Sequence, residues 1–219
     1  MKLYFVRHGE TEWNVENRLQ GHLDSKLTTN GVNRTLLLAE KLANTRFESV
    51  ISSPSPRAVH TAKILIGNRP LDIKLDERLR EINLGNWQGR TLKEIKETDP
   101  QRYDCYFHHP ELYKPDKMGG ESFFDVKKRL EEFLVNVEET YQTSNLLIVT
   151  HGVVIKVLQL ICKNKLISAI WEPPFIDGTS LTVVKIKKGK KEIIIEGNIS
   201  HFAKEIIDSK EENQAIHNT

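Results

Sequence analysis

Short apolar runs alternate with longer stretches of helical spacing along most of this chain. KLYFVRH from Lys2, FESVISS from Phe47, LDIKLDE from Leu71 and NLLIVTH from Asn145 are rich in apolar and β-branched residues and read as strands. Between them, Val32, Leu36, Ala39, Leu42 and Ala43 recur at three- and four-residue steps behind Thr28, a good N-cap. That spacing predicts an amphipathic helix from Thr28 to Asn44 with those five residues facing the core. A second helix is predicted from Ser122, where GGES supplies a breaker and a cap. Its stripe is Val126, Leu130, Phe133, Leu134, Val137 and Tyr141. Two β-rich runs around Gly189 predict a hairpin at a sheet edge, with lysines guarding it. Residues 99–120, punctuated by proline, read as irregular, a candidate lid or substrate loop. Strands alternating with helices predict an α/β fold.

Composition narrows the class. A chain of 219 residues, 38% hydrophobic, can close one sizeable core, and 1–202 is read as a single domain followed by a polar tail, 203–219. The 32 Lys and Arg against 30 Asp and Glu leave a net charge of +2, so no global field points to nucleic acid or a membrane surface, and any anion affinity must be local. Cys105 and Cys162 are far apart in sequence, which argues against a disulfide framework or a structural zinc site. The LYFV run is too short for a signal core, and no apolar stretch is long enough to span a bilayer. The expectation is a cytoplasmic protein, monomer or homodimer, without a membrane partner.

The chemistry concentrates at strand ends. LYFVRHG and LLIVTHG repeat one plan, a buried strand followed by histidine and glycine, and ligands in open parallel sheets bind beyond the carboxyl ends of strands. Gly9 and Gly152 let the backbone turn sharply and approach a ligand closely. The strand SVISS leads into PSPRAVHTA, so Arg57 falls on the first turn of the next helix, where arginine can grip a phosphate with two bonds. A cation there opposes the helix dipole and calls for a compensating anion. Glu81 follows another strand and can trade protons with a substrate, with Glu77 as a local rival. The rings of Trp87, Tyr106, Phe107, Tyr113, Phe123 and Phe124 are available to wall a pocket.

Arg7-His8-Gly9-Glu10-Thr11 with Asn14, Ser52-Ser53-Pro54 leading to Arg57, then Glu81 and Thr150-His151-Gly152, resemble the histidine phosphatase superfamily in its phosphoglycerate-mutase-like branch. The similarity runs from about Lys2 to about Ile186 and is nearest the broad-specificity phosphatase members. It implies a three-layer α/β/α sandwich, a phosphohistidine on His8, and Glu81 as proton donor. The phosphate of a small phosphomonoester would be held by Arg7, Arg57 and His151, with Asn14, Gln20, Gly21 and Gly152 assisting, and no metal or other cofactor is expected.

Three departures from the mutase pattern favour hydrolysis: Ile82 and Leu84 after the acid, no arginine pair in the middle loop, and Val153 after Gly152. A cofactor-dependent phosphoglycerate mutase and a non-catalytic module that binds phosphorylated ligands are the alternatives.

Overall fold

The computed structural model describes residues 1–115 and 119–202; the tail, 203–219, lies outside the described residues. Six strands form one sheet: β1 (Lys2–Arg7), β2 (Ser49–Ser52), β3 (Ile73–Leu75), β4 (Asn145–Thr150), β5 (Leu181–Lys187) and β6 (Lys190–Asn198), in the order β3-β2-β4-β1-β5-β6. The pairs β1–β4, β2–β4 and β2–β3 are parallel, and β5 and β6 join antiparallel. The helices are α1 (Glu12–Val15), α2 (Thr29–Lys41), α3 (Pro56–Ile66), α4 (Leu92–Thr98), α5 (Pro100–His108), α6 (Phe123–Thr140) and α7 (Gly152–Lys163).

Because β1 and β4 are buried on both faces, their apolar residues alternate between two cores. Leu3, Phe5, Leu146 and Ile148 pack with the helices α6 and α7, while Val6, Leu147 and Val149 pack with α2 and α3. This is a three-layer sandwich with a mostly parallel sheet. The helix α6 starts as expected at a capping box, Ser122 with Asp125, and buries Val126, Leu130, Phe133, Leu134 and Val137. The β5–β6 hairpin turns through Lys188 and Gly189, both at positive φ, as a two-residue loop between right-twisted strands requires.

Two expectations are corrected. The buried stripe of α2 is Gly31, Thr35 and Leu38, continued by Leu42, while Leu36 is 48% exposed. The cause is tertiary. A Cβ on Gly31 would overlap the Glu10 carbonyl oxygen and stand 2.8 Å from the Glu10 nitrogen, so the small face of the helix is the one that can abut the chain leaving β1. The described part of 99–120, residues 99–115 and 119–120, is also more regular than expected. Pro100 opens α5 and Pro110 opens a 3-10 turn, Pro110–Leu112, because proline is well placed at a first helical position, where its missing N–H costs nothing.

Candidate active site

The chain leaving β1 enters α2 on one face of the sheet, and the chain leaving β4 enters α7 on the other, so a crevice opens between two adjacent strand ends. Arg7 is paired in register with Thr150, and the His8 N–H donates to the Thr150 carbonyl at 2.9 Å. His8 and His151 therefore stand side by side, ring centroids 5.1 Å apart. The neighbouring strand β2 delivers Ser53 and, through the first turn of α3, Arg57. The segment after β3 delivers Glu81 by way of a 3-10 turn, Glu77–Leu79.

Arg57 is the hub. Its side chain is fully buried and donates from Nη1 to Leu23 O (2.6 Å) and Asp24 Oδ1 (2.9 Å), from Nη2 to Gly21 O (2.8 Å) and His151 Nδ1 (3.2 Å), and from Nε to His8 Nε2 (3.3 Å). Since a guanidinium only donates, both imidazoles must present a lone pair to it. This assigns the tautomers: His8 donates from Nδ1 to the Gly9 carbonyl at 2.8 Å, and His151 donates from Nε2 to Ser53 Oγ at 2.7 Å. The anion that offsets Arg57 at the helix N-terminus is Asp24, which also accepts from the Arg57 backbone N–H at 3.2 Å. That partner was not singled out in the sequence.

Burial, then the charges of Arg57 and Arg7, holds the His8 imidazole well below its ordinary pKa, outweighing the Gly9 carbonyl bond. His151 is lowered well below too, by burial first and then by Arg57 and His8. Burial also lowers Arg7, against the pull of Glu81 and Asp177. Arg7 donates from Nη1 to the Ile176 carbonyl at 2.6 Å, while its Nε is buried with no partner. Glu81 accepts from the Ile82 N–H through Oε1 (3.0 Å) and from the Val153 N–H through Oε2 (3.3 Å), so its carboxylate bridges to the first turn of α7. The Gly152 surface faces both charges: a Cβ there would stand 3.6 Å from Arg7 Nε and 3.8 Å from Glu81 Oε2.

Most of these groups line a cavity of about 460 Å³. Arg7, His8, Asn14, Gln20, Gly21, Arg57, Glu81 and Gly152 all reach it, whereas His151 lies beneath, touching His8 and Arg57 rather than the open space. Asn14 spends its Oδ1 on Thr11, and the Gln20 amide is taken up by Thr11 and Ser25, so Gln20 acts chiefly as a brace for the Thr11–Asn14 turn. The rival Glu77 has a side chain 73% exposed and pairs with Arg80.

The same cavity has an apolar wall, formed by Ile82, Leu84, Tyr106, Phe107, Val153 and Trp171. Of the rings expected as a wall, Trp87, Tyr113 and Phe123 pack behind it and Phe124 faces solvent. Trp171, Phe175, Asp177, Lys156 and Arg18 also line the cavity and were missed. Trp171, Phe175 and Asp177 sit on a chain segment between α7 and β5 whose spacing carries no period. Lys156 lies inside an apolar helix, where an isolated lysine was the available signal. Among the described residues, no group of three His, Cys, Asp or Glu side chains is disposed to hold a metal ion, and no helix is long and apolar enough to cross a membrane.

A family model described as the histidine phosphatase superfamily (branch 1) matches residues 3–198, reaching past Ile186 to include β6. The chain is 29% identical over 200 residues to phosphoserine phosphatase 1 of Hydrogenobacter thermophilus, spanning 91% of this chain and 93% of that one. It is 34% identical over 157 residues to the probable phosphoglycerate mutase GpmB of Escherichia fergusonii, 70% of each chain. The solved structure of Bacillus stearothermophilus YhfR superposes with a TM-score of 0.88 at 41% identity, covering 91% of this chain and 98% of that one.

Proposed function

Since the chain belongs to the histidine phosphatase superfamily, we propose that it hydrolyses small phosphomonoesters through a phosphohistidine on His8, with Glu81 as the proton donor. The observation that carries this reading is the state of His8. The ring is neutral, pinned through Nδ1 to the Gly9 carbonyl, and turns Nε2 toward Arg57 in the lining of a cavity that Arg7 shares. A neutral imidazole is a nucleophile at physiological pH, and fixed cations stabilise the charge spread over the equatorial oxygens in phosphoryl transfer.

In the first step the Nε2 lone pair forms the N–P bond while the ester P–O bond breaks. The leaving oxygen keeps that electron pair and takes the proton of the Glu81 carboxyl. In the second step a water attacks phosphorus and gives its proton to the Glu81 carboxylate. The N–P bond then breaks, its electron pair returns to Nε2, and inorganic phosphate departs. Arg7, with an unpaired Nε beside Gly152, holds the phosphoryl oxygens, and the Arg57 Nε–H, released from His8 Nε2 as that lone pair bonds to phosphorus, turns to them as well. His151 keeps Arg57 and His8 in place from below.

The mutase alternative draws support from GpmB. Against it, Ile82, Leu84 and Val153 stand beside the acid and the second His-Gly, and these three offer no bond to the carboxylate and hydroxyl that a mutase must retain while phosphate returns. Turnover of a labelled aryl phosphate, quenched rapidly, should leave label that is lost in acid, kept in base and mapped to His8. Label that survives acid, or persists in His8→Ala, overturns the proposal. Given 3-phosphoglycerate and catalytic bisphosphoglycerate, the enzyme should yield negligible 2-phosphoglycerate; isomerisation faster than phosphate release makes it a mutase.

A further inference from the structure

Tyr106 takes no part in the phosphate grip, yet it brings an unspent donor to the cavity. The residue is 3% exposed and belongs to the apolar wall. Its ring is clamped among Trp87, Phe107, Tyr113, Phe123 and Trp171, with centroids 4.9 to 5.8 Å away, and its main-chain carbonyl accepts from Trp171 Nε1 at 2.6 Å. The ring has no room to swing its hydroxyl elsewhere. No hydrogen bond joins that hydroxyl to any described residue. The hydroxyl is not one of the fully buried polar atoms that lack a partner, so it keeps a little accessible surface, and the cavity that Tyr106 lines is the space that provides it. Burial first, then the charge of Glu81, raises the phenol well above its ordinary pKa, so the group is a donor at any physiological pH and lies near enough to Glu81 to feel it.

The other polar side chains of the lining have partners of their own. Arg18 donates to Glu16 and the Gly89 carbonyl, and Lys156 to the carbonyls of Glu172 and Pro174. The phenol is a donor with no partner among them, so an oxygen acceptor on the leaving group would satisfy it.

We propose that Tyr106 is a specificity-determining residue whose hydroxyl donates to an oxygen acceptor on the leaving group. The preferred substrates are then phosphomonoesters of an apolar alcohol or phenol carrying one hydroxyl, ether or carbonyl oxygen. This rests on the phosphatase reading and adds to it a second point of recognition. A hydrogen bond of this kind is worth about fivefold in kcat/KM.

The test compares 2-, 3- and 4-hydroxymethylphenyl phosphates with their ethylphenyl counterparts, pairs of similar shape and leaving-group acidity, in the wild-type enzyme and Tyr106→Phe. At one ring position the hydroxymethyl compound should exceed its ethyl partner by about fivefold in kcat/KM, and Tyr106→Phe should bring that ratio to about one. A purely structural role would lower both members of the pair together and leave the ratio unmoved. A wild-type ratio near one at every position, or a ratio preserved in Tyr106→Phe, overturns the proposal. Failure of the wild-type enzyme to hydrolyse any aryl phosphate, phenyl phosphate included, instead refutes the phosphatase reading.

Discussion

Replacing Arg57 by lysine keeps the charge and removes the geometry, which makes it the sharpest probe of the site. The guanidinium makes five bonds from three nitrogens, to Leu23 O, Asp24, Gly21 O, His151 and His8. An ammonium has three N–H groups on one atom and can meet at most three of those acceptors, all on one side. At least two buried acceptors are stranded, each at a cost of about 1–3 kcal/mol, so stability should fall by roughly 2–6 kcal/mol. The Asp24 side chain is 28% exposed, so loss of its ion pair adds little to that figure. In the reaction, the variant loses a preorganised donor to the phosphoryl oxygens, which costs about 2.7–4 kcal/mol, or about 10²–10³-fold in kcat. Urea unfolding measures the first quantity and steady-state hydrolysis of phenyl phosphate the second. Binding of vanadate, followed by its effect on the thermal midpoint, should weaken in parallel with kcat/KM. A variant within about threefold of wild type in kcat/KM would show that the fork geometry of Arg57 contributes nothing to transition-state binding.

Other outcomes follow from the same geometry. Gly31→Ala should destabilise the protein by more than about 2 kcal/mol in denaturant unfolding, because the new methyl overlaps the Glu10 backbone and pushes on the turn that carries His8. Gly152→Ala should do the opposite. Its Cβ meets only ordinary contacts and a helical glycine is removed, so stability should hold or rise by about 0.4–1 kcal/mol. Activity should nonetheless collapse, as the methyl stands between Arg7 and Glu81, and an active Gly152→Ala enzyme would move the phosphate site elsewhere. Stability should also depend on pH through the two histidines. Their pKa values are depressed in the folded state, so as pH falls below about 6.5 the unfolded chain takes up protons that the folded one does not, and stability is lost. The slope for two such groups is about 2.7 kcal/mol per pH unit. His22 and His201 are also lowered, the latter to about 4, so the measurement is the difference in acid-side slope between wild type and the His8→Asn, His151→Asn double variant. Parallel slopes would mean that neither imidazole is held neutral by the fold.

Most of the framework was legible because it is local. Burial on both faces writes a near-continuous apolar run into β1 and β4, and each run ends at the histidine and glycine that define the crevice. The α6 stripe survived for a similar reason: a long helix against a sheet must keep an apolar face, and that periodicity needs no knowledge of its neighbours.

What the tertiary structure decided depends on groups that meet across sequence. The α2 stripe turned because Gly31 and Thr35 fit against the Glu10 backbone, a close approach that hydrophobicity does not encode. Asp24 is ordinary in sequence until folding sets it against Arg57, 33 residues away, and Ser53 acquires its role from His151, 98 residues away. The tautomers of His8 and His151 depend on one guanidinium donating to both, and no residue spacing announces that. The exposed hydroxyl of Tyr106 has the same origin. Composition supplies the aromatic rings, but only their packing determines which one turns a polar edge into the cavity, because ring orientation is set by contact with neighbours that arrive from four different parts of the chain.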